Sequence, residues 1–386
     1  MIIFWCVLGA IAGVIAGLIP GLHSNNISAL IAMGPFLGIE ATAFMLSLGL
    51  TQAMTEFIPS TFIGAPSEST FESVLPAHKM LLSGRAYEAV CLTTLGAVIA
   101  TVFGIIITPI FFEILIKNSN ELMQITPIVL VFALIVFLNG ENGIKKIFAL
   151  IVIVSSSAHG LYFKGQIFPL ITGYFGLAGA LYSLKEKTNT PRQRFACEIN
   201  SKAIYEAVIG IIGGAVVSIM PGIGSNTAAG LIKVFRNQKE TKNYLSMLGA
   251  INSANFFFSF ATLLALSKTR NGIMIAVEET IIPQKNWLIL GSSILLASAG
   301  IGGLMTIFIA RRATGFFTQS RIKKATMFAI IFMIGLVFLL NGLIGLIALF
   351  FSTTTGLLAI STKIRRSICM SSLIVPALFF YLFVLT

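Results

Sequence analysis

The stretch Gly17-Leu18-Ile19-Pro20-Gly21-Leu22-His23-Ser24-Asn25-Asn26 returns 201 residues later as Ser218-Ile219-Met220-Pro221-Gly222-Ile223-Gly224-Ser225-Asn226-Thr227. The shared core is Pro-Gly-[Leu/Ile]-x-Ser-Asn, and the copies run on into Ala29-Leu30-Ile31 and Gly230-Leu231-Ile232. A second echo follows at an offset of 200, with Leu48-Gly49 and Gln52 matching Leu248-Gly249 and Asn252. Proline has no backbone donor and crowds the preceding turn, and glycine loosens the backbone further. Each copy therefore interrupts a helix inside an apolar stretch, and the Ser-Asn side chains can cap the helix that restarts. A tight turn between two full helices is the alternative for either copy alone. A duplicated turn would not, however, need the same two polar side chains.

The surroundings of the breaks belong in lipid. Of 386 residues, 56% are hydrophobic and only 10% charged, against roughly 25% charged in a soluble domain. So few charges cannot build a water-facing surface. The runs Leu130 to Leu138 and Ile330 to Leu340 are continuous rather than alternating, which excludes barrel strands and leaves helices. At about 20 residues per crossing, the chain has length for roughly a dozen crossings. The net charge of +12 reads as basic cytoplasmic loops rather than as a nucleic-acid surface. Cys6, Cys91, Cys197 and Cys369 show no metal-ligand spacing and read as small apolar helix residues. No basic residue precedes the apolar run Ile2 to Ile19, so it reads as a retained helix and not as a signal peptide.

Apolar runs place candidate helices at 2–19, 22–38, 42–58, 86–112, 122–139, 144–160 and 165–183. In the second half they fall at 203–220, 222–234, 244–266, 286–310, 325–340, 343–361 and 367–386. The segments 22–38 and 222–234 are short or glycine-rich and read as half-helices. The polar stretch KEKTNTPRQRFACEINSK divides the chain into a first repeat (1–184), a linker (185–202) and a second repeat (203–386). Five basic residues make the linker cytoplasmic by the positive-inside rule. Threading outward from it puts 21 of the 26 basic residues inside. Lys117, Lys164, Lys268, Arg270 and Lys285 fall outside, as do both termini. After the first break comes MGPFLGIEAT, without a basic residue; after the second comes KVFRNQKETK, with four. Corresponding loops of opposite charge character imply halves of opposite orientation. The expected fold is thus an all-α polytopic membrane protein of two inverted-topology repeats. It would have roughly 12–14 transmembrane or re-entrant segments, with helix breaks at the Pro-Gly motifs.

Matching interrupted helices in inverted repeats point to a transporter binding site near the bilayer midplane. Two restarting helix N-termini would meet there, with free N–H groups and positive dipole ends that suit an anion. Unwound carbonyls and asparagine side chains suit a cation. The stretch from Glu56 to Thr70, containing Ser67, Glu68 and Ser69, is too polar for lipid and too apolar for a plain loop. It reads as re-entrant or cavity-lining, with Glu56 and Glu68 as proton carriers or as solvated helix-end carboxylates. Its second-half counterpart runs from Asn252 and Asn255 to Lys268 and Arg270, cations that would attract an anion or lie in an exposed loop. His23, where the second copy has Gly224, can carry a proton or bond a backbone carbonyl. His78 and His159 have no partners at ligand spacing, and Glu278-Glu279 reads as a solvated helix end.

The paired signature, Gly64-Ala65-Pro66, Pro76-Ala77-His78-Lys79-Met80 and Ser83-Gly84-Arg85-Ala86-Tyr87-Glu88-Ala89 together resemble the large permease subunit of the tripartite tricarboxylate transporters. Ser267-Lys268-Thr269-Arg270-Asn271-Gly272 is similar to a basic Arg-x-Gly stretch of that family. The chain is shorter than the usual permease and carries His23 in place of a glycine. It also has Ala65-Pro66-Ser67 in place of a Pro-Gly turn. In these respects it resembles the shorter archaeal branch.

The resemblance implies uptake of small organic anions such as citrate-like carboxylates across the cell membrane, driven by a Na+ or H+ gradient and without a cofactor. Expected partners are the lipid bilayer, a small anionic substrate, a small membrane subunit, an extracytoplasmic binding protein and a second copy in a homodimer; nucleic acid is not among them. The expected substrate or ion site comprises Pro20, Gly21, His23, Ser24, Asn25, Asn26, Pro221, Gly222, Gly224, Ser225, Asn226, Thr227, Asn252 and Asn255. Glu56, Ser67, Glu68, Ser69, Lys268 and Arg270 are expected in its cavity or in coupling. Two alternatives are transport or flipping of a lipid-linked substrate on the same scaffold, and an intramembrane hydrolase built on Ser24 and His23. No GxxxxGK[ST] loop exists, which disfavours a directly ATP-driven pump.

Overall fold

The computed structural model describes residues 1–20, 22, 24, 27–28, 31, 38–64, 69–185, 191–220, 223–236, 242–267, 269, 271–316 and 319–383. Among these every regular element is helical. In the first half they are α1 (Ile2–Leu18), α2 (Ile39–Thr55), α3 (Phe57–Phe62), a 3-10 turn at Phe71–Ser73, α4 (Val74–Leu82), α5 (Ala86–Lys117), α6 (Ser119–Asn139), α7 (Ile144–Tyr162) and α8 (Ile167–Lys185). In the second half they are α9 (Ser201–Ile219), α10 (Ser225–Phe235), α11 (Tyr244–Leu266), α12 (Gly272–Thr280), α13 (Trp287–Phe316), α14 (Gln319–Ser361), a 3-10 turn at Arg366–Met370 and α15 (Ser371–Phe383). Eight helical stretches are long and apolar enough to cross a membrane, and Ile2–Leu18 and Gln124–Asn139 are shorter apolar helices. The protein is a polytopic helical membrane protein. The expected segment 22–38 lies largely outside the described residues.

Both interruptions begin alike. α1 ends at Leu18 and α9 at Ile219, each followed by a residue in extended conformation, Ile19 and Met220. α10 restarts at Ser225. The expected Ser-Asn cap is not formed there: Gly224 is the N-cap, and Ser225 and Asn226 are already helical, with no side-chain cap bond. Glycine supplies the extended N-cap conformation, so the side chains of Ser225 and Asn226 are left for other partners. The 43-residue α14 turns at Gly342, whose φ of +62° is non-helical. Glycine alone adopts it without strain, and the turn separates the two expected segments.

Helices pair in a corresponding way in the two halves. α1 lies along α2, and α9 along α11. A methyl group at Gly9 or Gly13 would overlap the carbonyl oxygens of Phe44 and Leu48. One at Gly210 would overlap that of Met247, and one at Gly214 the methyl of Ala254. These small-residue stripes let the backbones approach, and that approach is what holds helices together where no hydrophobic force acts between them. α5 packs on α11 and α13 on α2, so each half completes the other's core. α7 lies against α15, and α8 against α14, in a flanking group. α11 is the central helix, with 94% of its most apolar stretch buried, whereas α7 and α14 bury only 17% and 22% and turn their apolar faces outward to lipid. α10 and the turn Phe71–Ser73 sit between the two groups.

Candidate functional site

α2 carries Gly49 and Gln52, with Glu56 at its C-cap, and α11 carries Asn252, Asn255 and Ser259. Spacings of three and four residues put each set on one helix face. The two faces border one cavity of about 200 Å3. The first interruption adds Ser24 to its wall, and the second adds Ile223, Gly224 and Ser225. Ser69, Asn271 and Gly272 come from the segments between spanning helices. Interruptions 201 residues apart in sequence thus open onto the same cavity.

Most polar side chains at the wall are hydrogen-bonded within the protein. The Gln52 side chain clamps the first interruption: its Oε1 accepts from the Ser24 N–H at 2.6 Å and its Nε2 donates to the Leu22 carbonyl at 3.1 Å. At the second, Asn226 is 1% exposed and its Oδ1 accepts from the Glu72 N–H at 3.1 Å, tying α10 to the turn Phe71–Ser73. That turn is held from its other side. Arg366 donates through Nη2 to the Phe71 carbonyl at 3.1 Å and its guanidinium lies 5.8 Å over the Phe71 ring, which stacks on Phe175 at 3.9 Å. Glu56 is buried and accepts from the Ser69 hydroxyl and, at 3.3 Å, from Asn252 Nδ2. Asn252 Nδ2 also lies 3.4 Å from the Ser69 carbonyl, while Asn252 Oδ1 is buried with no partner among the described residues. Asn255 Oδ1 accepts from Ser259 at 2.9 Å, and Asn271 Oδ1 caps α12 on the Ile273 N–H at 3.0 Å.

Of the site residues expected from sequence, Ser24, Glu56, Ser69, Gly224, Ser225, Asn252 and Asn255 line the cavity. Pro20 stands at the first interruption, half-buried and off the wall. Thr227 is fully buried in α10, its hydroxyl unpartnered among the described residues. Gly21, His23, Asn25, Asn26, Ser67, Glu68, Pro221, Gly222, Lys268 and Arg270 lie outside the described residues. Sequence reasoning missed the role of Gln52, although its match to Asn252 in the repeat was a signal for it. It also missed Ser259, Asn271 and the Arg366–Phe71–Phe175 stack, which no motif marks. His159 lies away from the cavity with Nδ1 2.9 Å from the Tyr174 hydroxyl. No group of three or more His, Cys, Asp or Glu placed to hold a metal occurs among the described residues.

Comparison with known proteins decides the family. The profile of the tripartite tricarboxylate transporter TctA family matches residues 3–371. The chain belongs to the tripartite tricarboxylate transporter TctA family. This TctA-family chain is also similar to an uncharacterised protein of Methanocaldococcus jannaschii, MJ1079, at 27% identity over 403 aligned residues covering 98% of this chain and 99% of the relative. No solved structure matches it. The cavity described above is therefore that of a transporter-family membrane protein of the tricarboxylate type.

Proposed function

We propose that the protein is a secondary permease that moves small organic anions, carboxylates in the first place, across the cell membrane with the energy of a Na+ or H+ gradient. The observation that carries this reading is the cavity onto which both helix interruptions open, one from each half of the chain. The start of α10 at Ser225 supplies backbone N–H groups and a positive dipole end at the wall, which favours an anion. Ser24, Ser225 and Asn255 supply further hydrogen-bonding groups. The proposed architecture is a pair of inverted repeats, 1–184 and 203–386, with the linker in the cytoplasm. It is supported by the pairing of α1 with α2 and of α9 with α11 through small-residue stripes at matching positions. Alternating access would then come from one half rocking against the other around the cavity. Membership of a transporter family speaks for a transporter rather than an enzyme. A small membrane subunit and an extracytoplasmic binding protein are the proposed partners.

The test is uptake of radiolabelled citrate and succinate into proteoliposomes under an imposed Na+ or H+ gradient, with and without those partners. Ser225→Ala and Asn255→Ala are expected to lower the initial rate about tenfold, the loss of roughly one hydrogen bond to a charged group, at equal amounts of inserted protein. Gradient-independent uptake, or the native rate in both variants, would overturn the reading.

A further inference from the structure

Glu56 poses a difficulty for an anion site. It is 5% exposed, lines the same cavity as the start of α10, and is the only carboxylate on that wall among the described residues. An ionised carboxylate and a bound anion in one cavity repel each other, and the burial of Glu56 strengthens the repulsion. The anion can bind well only when something positive offsets Glu56.

The side chain facing Glu56 shows what that is. Asn252, 3% exposed, turns its Nδ2 toward two oxygens, Glu56 Oε1 at 3.3 Å and the Ser69 carbonyl at 3.4 Å. Its own Oδ1 is left buried and without a partner among the described residues. A buried, unpaired carbonyl oxygen is costly to maintain. The amide N–H2 thus stands between two oxygens as a positive group, at the expense of its own oxygen. Half a turn of the amide exchanges Oδ1 and Nδ2. Oδ1 then joins the Glu56 carboxylate and the Ser69 carbonyl, and three oxygens converge on one point.

We propose that Glu56, Asn252 and the Ser69 carbonyl form a binding site for a small monovalent metal cation, sodium in the first place, whose occupancy neutralises Glu56 and opens the neighbouring end of the cavity to an anion. Carboxylate and carbonyl oxygens are the ligands such hard cations take. A proton satisfies the arrangement less well. A protonated Glu56 could donate to the turned Oδ1, but Oδ1 would then face the Ser69 carbonyl lone pair to lone pair. A metal ion attracts all three oxygens at once. The charge balance selects a monovalent ion, because one carboxylate needs one positive charge.

This inference deepens the transport reading and rests on it for the anion, yet the cation site is testable without any anion. The purified protein is melted in detergent, in a buffer free of organic acids, with NaCl titrated against choline chloride at constant ionic strength. Sodium is expected to raise the melting temperature saturably, by at least about 3 °C. Glu56→Gln is expected to abolish that rise, and Asn252→Ala to move half-saturation to higher sodium by about tenfold. Asn252→Asp places a second carboxylate at the ligand position and is expected to lower the half-saturating sodium concentration, which keeps the proposal decidable if Glu56→Gln does not fold. A rise that follows pH and ignores sodium, a rise that survives in Glu56→Gln, or no rise over choline overturns the proposal. The two readings fail separately. Sodium stabilisation without carboxylate uptake in proteoliposomes would end the transport reading and keep the cation site; sodium-independent carboxylate uptake without stabilisation would do the reverse.

Discussion

Gln52 and Asn252 stand at corresponding positions 200 residues apart and use their amides differently. Gln52, one methylene longer, reaches backbone: it pairs both the Ser24 N–H and the Leu22 carbonyl and so fixes the first interruption. Asn252 reaches side chain and backbone on the first half, Glu56 and Ser69. One amide therefore serves the scaffold and the other faces the ligand space. Gln52→Leu, of similar size, leaves two backbone groups without partners in a buried setting. At about 1–3 kcal/mol per orphaned group, it is expected to destabilise by about 2–6 kcal/mol, read as a lowered melting temperature. Gln52→Glu keeps an acceptor for Ser24 but gives up the donor to Leu22, so its melting temperature should fall between those of the native protein and Gln52→Leu. A Gln52→Leu protein that melts with the native one would show that the clamp carries no load.

Among elements, the helices that span were readable because their apolar runs are long. The expected 244–266 is α11 to the residue, the expected break between 340 and 343 falls at Gly342, and α9 ends at Ile219, just before the break expected at Pro221-Gly222. The helix α4 was not readable: Val74–Leu82 holds Pro76, His78 and Lys79 within nine residues and looks like a connection. The site was legible where the repeat duplicated polar residues, as at Ser24, Ser225 and Asn252. It was not legible at Arg366 and Phe71, which lie 295 positions apart in the chain and meet only through the tertiary fold. Glycine roles were illegible for the same reason, since 35 glycines look alike in sequence. The contact of Gly13 with the Leu48 carbonyl predicts that Gly13→Val separates α1 from α2 and costs about 1–3 kcal/mol or more by overpacking. Gly300 has nothing within 4 Å of an added methyl, so Gly300→Ala is expected to be neutral or to stabilise by up to about 1 kcal/mol. Melting of the two variants in parallel checks both; equal melting would mean the α1–α2 approach is not tight.

For the whole molecule, the linker joins the halves physically as well as in sequence. The Arg194 N–H donates to the Gly84 carbonyl at 2.7 Å, Gln193 bonds Ala86 and Leu81 at 2.9 and 3.0 Å, and Asn200 caps α9 on Ala203 at 2.9 Å. Glu198 meets Lys242 at 3.3 Å and Arg85 at 3.7 Å, one partner from each half. Basic residues expected inside thus gather around the linker, whereas Lys285, expected outside, pairs with Glu113 at 2.5 Å. If the halves are inverted, corresponding turns must lie on opposite sides of the membrane. Lys145 stands in the first turn of α7, just past the turn from α6, and the matching turn within α14 carries Asn341 beside Gly342. In intact cells producing a variant with Cys6, Cys91, Cys197 and Cys369 replaced, Asn341→Cys should react with a membrane-impermeant maleimide, and Lys145→Cys only after permeabilisation. Lys164→Cys and Arg312→Cys extend the comparison, the first expected to react from outside and the second from inside. Reaction of Asn341→Cys and Lys145→Cys from the same side would make the halves parallel. It would also remove the reason for two helix interruptions to approach one cavity from opposite leaflets.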